Sequence, residues 1–336
     1  LAAEITADLV SELDRSDLYG ALLSWPEMLG EAKPELLGDV GPFRRVRFVG
    51  FGGSRVACEL LARYLAPGDV EVYGDERSLA RSDERFLLAV VSASGMTKEA
   101  LYLFLRALRR GLPIVAITSG GGLLEACERR GLPCLRIPFR HSPRASFPYL
   151  LAGCLSLLHR IGRIEEPGAL LAEIAGRWAR VRRRNALPKG ATGPSARLAR
   201  YLKGGLPLCH YSEALEPVAQ RFAKSLAENA KVPCLLFPVP EAMHNYICGL
   251  ERIEDARPLW LGAKGMGLEK GPREAARSFY AKRGLELFQL AIGPSLPEAA
   301  EAIYELELAT LYLALLLGVD PTPVQAIEEY KAALRL

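Results

Sequence analysis

Apolar residues in the first half of the chain fall into short continuous runs. Each run leads through glycine or a turn into a stretch with helical spacing. Residues 45–50 form a β-rich run ending in glycines, and 54–65 carries a helical pattern. Residues 70–73 read as a short strand. Residues 86–92 are apolar at nearly every position, as a strand covered on both faces requires. The spacing predicts a helix over 97–110, stopped by Gly111-Leu112-Pro113, then a strand over 114–118. Gly120-Gly121-Gly122 turns into a helix ending near Arg130, a short strand covers 134–137, and an apolar helix covers about 145–161. The second half repeats this grammar, with strands expected over 206–211, 234–239, 258–261 and 285–290. Helices are expected over 214–229, 273–283, 297–317 and 323–334. Strands alternating with helices imply an α/β fold of two doubly wound parallel sheets in tandem, with flanking helices. The expected domains are 1–165 and 196–336, joined by an arginine-rich helical linker over 166–195 that contains breakers around Pro188 and Gly193.

Composition narrows the function classes. A chain of 336 residues, half of them hydrophobic and 24% charged, can fill two cores. The net charge of +4 is small, and Arg182-Arg183-Arg184 reads as a solvated helix end, so neither nucleic acid nor an anionic membrane is expected as a partner. The apolar run 308–319 is too short to span a bilayer and is expected to be a buried helix. No leader pattern stands at the N-terminus. Seven cysteines without a C-x-x-C pair fit a reduced cytoplasmic protein better than a disulfide framework or a zinc site, and Cys58, Cys127, Cys134, Cys154 and Cys234 are expected as small core residues. Asn185, Asn229 and Asn245, with Gln220, Gln289 and Gln325, make up all the side-chain amides, a scarcity that points to a thermophile.

Two loops carry candidate binding chemistry. Gly50-Phe51-Gly52-Gly53-Ser54-Arg55 lies between a strand and a helix, where glycines admit a ligand to the backbone and the helix start offers N–H donors. It partly matches a dinucleotide fingerprint, but Arg55 stands where the third glycine belongs, which counts against a nucleotide-dependent oxidoreductase. Ser92-Ala93-Ser94-Gly95-Met96-Thr97 follows the next strand and supplies three hydroxyls and a glycine. These residues can act as ordinary helix caps or can jointly surround a phosphate. Further along, Arg221, Lys224, Glu228 and Lys231 precede Pro233, and His244 follows in Pro240-Glu241-Ala242-Met243-His244-Asn245. A carboxylate, a histidine and a cation suffice to move a proton between adjacent carbons of a substrate, without metal or redox cofactor.

The strand–loop–helix containing Ser92, Ser94 and Thr97 resembles a sugar isomerase (SIS) domain. Arg221-x-x-Lys224-x-x-x-Glu228-Asn229-Ala230-Lys231-Val232-Pro233, followed by Glu241-x-x-His244-Asn245, resembles the bifunctional phosphoglucose/phosphomannose isomerases, which are tandem SIS-domain enzymes. Ser142-Pro143-Arg144-Ala145-Ser146 and the ending from Val319-Asp320-Pro321 to Lys331 are also similar to that family. The resemblance implies a glucose 6-phosphate or mannose 6-phosphate to fructose 6-phosphate isomerase working through a cis-enediol. Gly53, Ser54, Ser92, Ser94 and Thr97 would hold the phosphate and Glu228 would transfer the proton. His244 and Lys331 would open the ring, and Arg144 would steady the enediolate. It also implies a homodimer in which His244 reaches across from the second subunit, with no cofactor. The chain departs from the family at Arg55, Ala93 and Met96, where a small residue, a tyrosine and an asparagine are usual, and those positions bear on substrate size and phosphate affinity. The alternative is an SIS phosphosugar-binding protein with weak or no catalysis. No helix-turn-helix accompanies it to make it a DNA-bound regulator.

Overall fold

The computed structural model describes residues 4–65, 68–80, 85–253, 255–265 and 270–334, with the side chains of 78, 80 and 251 excepted. They form two compact units that are not contiguous in sequence. One comprises Ser24–Gly176 and Ile327–Leu336, the other Leu1–Leu23 and Arg177–Ala326.

The first unit is built on six strands: β1 (Glu35–Leu37), β2 (Arg45–Gly50), β3 (Val70–Tyr73), β4 (Phe86–Ser92), β5 (Ile114–Thr118) and β6 (Cys134–Arg136). Their order is β1-β6-β5-β4-β2-β3. All neighbours are parallel except β1 and β6. Every residue of β4 and β5 is buried. That explains why these strands are continuous apolar runs rather than alternating ones: helices cover both faces. The helix Lys98–Arg109 packs Leu103, Phe104 and Ala107 against Leu88, Val90, Ile114 and Ala116. The chain winds from β2 outward to β3 and from β4 outward to β5, so the strand order reverses between β2 and β4. Ligands of doubly wound sheets sit beyond the carboxyl ends at such a reversal, which is where the two glycine- and hydroxyl-rich loops leave the sheet.

The second unit has four parallel strands, β7 (Leu206–Ser212), β8 (Leu235–Val239), β9 (Ala256–Ala263) and β10 (Phe288–Ile292), ordered β10-β9-β7-β8. Its centre is the helix Leu296–Leu316, started by a Ser295–Glu298 capping box and buried along almost its whole length. Among the described residues no helix is long and apolar enough to cross a membrane. From Arg177 onward the arginine-rich segment packs into this unit: the buried Trp178 indole donates to the Ala300 carbonyl at 2.8 Å. His210 is also a core residue here, its Nε2 2.6 Å from the Tyr280 hydroxyl, and burial pushes its pKa down to about 3.

The expected helix over 214–229 is two pieces. An α-helix covers Glu216–Ser225, and a π-turn, Leu226–Ala230, follows it and ends at Lys231 in the left-handed conformation.

Candidate active site

The two loops of the six-stranded unit meet. The Ser54 hydroxyl accepts a hydrogen bond from the Ala93 amide at 3.4 Å, and the Ser92 and Thr97 hydroxyls lie 3.1 Å apart. Ser94 accepts from the Met96 amide at 3.3 Å. Ordinary capping does not account for these hydroxyls. The helices Gly52–Tyr64 and Lys98–Arg109 begin at Phe51 and Thr97, and neither cap position makes a side-chain hydrogen bond to its helix. Both helix starts therefore direct backbone N–H groups and partial positive charge toward the same crevice, an arrangement suited to a phosphate. Gly53 occupies the first turn of the first helix.

A third element braces the second loop. The Ser119 amide and hydroxyl both donate to the Ala93 carbonyl, at 3.1 and 2.6 Å, and the Leu123 amide donates to the Gly95 carbonyl at 3.1 Å. Gly95 has φ +65°, and a Cβ there would collide with the Gly120 carbonyl. Only glycine meets both demands. Met96, 63% exposed, lays its sulfur 3.4 Å from the Gly122 amide. Arg55 is drawn along its own helix to Glu59, Nε to Oε1 2.5 Å, toward Gly74 at the end of β3. Ser119 was not singled out in the sequence; its only local signal is its position at a strand end before three glycines.

Arg144 belongs to the same unit. It is buried (7% exposed), in the turn that precedes the helix Phe147–Arg160. Ser146 fixes that turn by donating to the carbonyls of Arg140 and Ser142 at 3.1 and 2.9 Å. Lys331 is exposed on the helix Gln325–Ala333. Lys98, the residue after Thr97, donates its ammonium to the carbonyls of Lys331 and Leu334 at 3.0 and 2.7 Å. The end of the terminal helix is thereby docked at the second loop, a cation meeting the unsatisfied carbonyls of a helix C-terminus.

Glu228 lies in the four-stranded unit, half-buried, on the π-turn. A buried polar cluster supports that turn. Glu307 of the central helix accepts from Arg221 Nε at 2.9 Å, Ser225 Oγ at 2.7 Å and Asn229 Nδ2 at 3.4 Å, and Asn229 also donates to Thr310 at 2.8 Å. Arg221 and Glu307 are nearly sealed from solvent, 3% and 1% exposed. Lys231 closes the turn, its ammonium donating to the carbonyls of Glu228 and Pro321 at 2.6 and 3.3 Å. Arg221, Asn229 and Lys231 therefore tie the π-turn to the central helix and to the Pro321 carbonyl. Glu307 was absent from the sequence expectations because its partners stand about eighty positions earlier.

His244 is exposed on the short turn after β8, beside the exposed Asn245 and Tyr246. Glu228 precedes β8 and His244 follows it. Five residues of strand span about 16 Å, so the two side chains occupy opposite ends of their sheet. One chain does not bring them to a common point within this unit.

Residues 191–334 match the family model for the bacterial phospho-glucose isomerase C-terminal SIS domain. A bifunctional phosphoglucose/phosphomannose isomerase from Aeropyrum pernix is 31% identical over 95% of this chain and 97% of its own length. A D-glucosamine-6-phosphate 4-epimerase from Sulfolobus acidocaldarius is 28% identical over 66% of this chain and 69% of its own. Among solved structures, a glucose-6-phosphate isomerase like protein from Thermus thermophilus shares the fold, with TM-score 0.68 and 21% identity over 99% of this chain and 100% of that one.

Proposed function

This chain belongs to the family of bifunctional phosphoglucose/phosphomannose isomerases, and from that premise we propose that it interconverts glucose 6-phosphate and mannose 6-phosphate with fructose 6-phosphate. The observation that carries the phosphate assignment is the pair of loops at the strand-order reversal, with two helix starts uncapped by their own side chains. Gly53, Ser54, Ser92, Ser94 and Thr97 hold the phosphate there. Lys331 and His244 assist opening of the pyranose ring. Glu228 then removes the C2 proton of the open aldose and returns it to C1, while the Arg144 guanidinium balances the charge of the intervening cis-enediolate. Both C2 epimers pass through that same intermediate, and a turn about the C2–C3 bond brings either C2 proton to the one base. The chemistry requires neither metal nor redox cofactor.

The placement of Glu228 and His244 at opposite ends of β8 supports a homodimer in which His244 comes from the second copy, and the exposure of His244, Asn245 and Tyr246 suits that role. We assign the reaction to the cytoplasm, on seven cysteines that include no C-x-x-C pair, and to a thermophile, on the scarcity of amides. The test is a coupled isomerase assay at elevated temperature with glucose, mannose and fructose 6-phosphates. Glu228→Gln is expected to bind phosphosugar normally while turnover falls by about 10²–10⁴-fold. Binding of hexose 6-phosphate by the wild type without any conversion refutes the isomerase assignment and leaves a binding protein.

A further inference from the structure

The terminal helix, Gln325–Ala333, buries none of its side chains, and each of its 9 residues is exposed. A free helix of that length is marginal in water, so packing into a core does not decide where it places Lys331. A polar tie at its C-terminus does. Lys98 donates to the carbonyl of Lys331 itself at 3.0 Å and to that of Leu334 at 2.7 Å, and all three residues belong to the six-stranded unit. Lys98 stands directly after Thr97, at the first position of the helix Lys98–Arg109. The helix dipole disfavours a cation there. The carbonyls of the terminal helix offset that cost, and so does an anion held by the loop. A lysine pointing into water would gain from neither.

We propose that Lys98 is a positioning residue for Lys331: it fixes the reach between the phosphate loop and the ammonium that assists ring opening. Given the phosphosugar reading of the site, on which this assignment rests, a sugar anchored by its phosphate at Thr97 meets Lys331 at a distance set by the next residue along the chain. Two charge-assisted hydrogen bonds from one ammonium hold that distance. Lys98 acts through the backbone of Lys331 and does not need to touch the substrate. Its loss frees the end of the terminal helix. The phosphate hydroxyls, with Ser92 and Thr97 3.1 Å apart, depend on other contacts and stay in place. Substrate binding therefore survives while the ring-opening step slows.

The test is a double-mutant cycle on glucose 6-phosphate isomerisation by the full chain. Lys98→Met and Lys331→Met should each lower kcat by about 10–100-fold while KM stays within about twofold. The double variant should be no slower than Lys331→Met, because Lys98 acts through Lys331. Lys98→Arg keeps the cation and should recover most of the loss. Every variant should unfold within about 2 °C of wild type, since the helix buries nothing. Losses that multiply in the double variant overturn the proposal, and so does wild-type kcat in Lys98→Met. A raised KM with unchanged kcat in Lys98→Met also overturns it, and makes Lys98 a phosphate ligand instead. Normal turnover in Lys331→Met overturns it by removing the ring-opening role of Lys331 alone. A wild type that binds glucose 6-phosphate without converting it removes the isomerase reading as a whole.

Discussion

If Glu228 and His244 of one site come from two chains, two inactive variants should repair each other. Glu228→Gln and His244→Ala homodimers each carry the same defect in both sites. In a mixed dimer, one site receives both substitutions and the other receives an intact Glu228 from one chain and an intact His244 from the other. Random exchange of equal amounts makes half of the dimers mixed, with one working site in two, so recovered activity should approach about a quarter of wild type in a twofold-symmetric dimer. Each parent alone should fall by about 10²-fold or more, so the recovered signal stands far above background. The assay is fructose 6-phosphate formation before and after co-refolding, with native mass spectrometry of differently tagged chains to count mixed dimers. Mixed dimers at half the population with no gain over the parents would show that both residues serve the site from one chain. Since about 16 Å of strand separates their attachment points, that result would also refute the assignment of one of them.

Other expectations follow from particular contacts. Glu307→Ala leaves the Arg221 charge sealed in the core without its carboxylate, which should cost about 3–5 kcal/mol in chemical denaturation. Replacing both with leucine should recover most of that stability while isomerase turnover stays low, because the π-turn loses its anchor. Gly95→Ala must place a side chain at φ +65° against the Gly120 carbonyl, and should raise KM for hexose 6-phosphate at least about tenfold by distorting the loop. His210 has its pKa depressed to about 3. The unfolded state therefore binds the extra proton as pH falls below about 6.5, and the native state does so only near pH 3. This one residue should remove roughly 2–3 kcal/mol of stability between pH 6.5 and 4.5. His210→Phe should flatten that part of the stability profile, measured by urea unfolding across the range.

The strands β2, β3, β4 and β5 were legible to the residue: β4 and β5, buried throughout, are continuous apolar runs, while β2 and β3 are short β-branched and aromatic runs closed by glycine. β1 was not, since its three residues are only partly buried and lie antiparallel at an edge, where pairing with β6 supplies the order that periodicity does not. The helix over 214–229 was expected in one piece because its spacing stays helical. What widens its last turn is an anchor on Glu307, a long-range contact that no local pattern carries. The hydroxyl loops were legible as a type of site, but not the Ser119 brace or the Lys98 clamp. The cysteines Cys58, Cys127, Cys134 and Cys154 are buried as expected of small core residues, whereas Cys234, expected with them, is partly exposed because it stands just before β8 begins.

The interleaved make-up of the two units has a consequence for synthesis. Lys98 finds its carbonyl acceptors 233 and 236 positions later, so the six-stranded unit lacks its final helix until almost all of the other unit has left the ribosome. Conversely, the first 23 residues emerge early and belong with the later sheet. Contacts at such separation close slowly. The nascent chain must therefore keep an incomplete first sheet from aggregating for most of its translation, and a fragment cut at 176 inherits that incompleteness permanently.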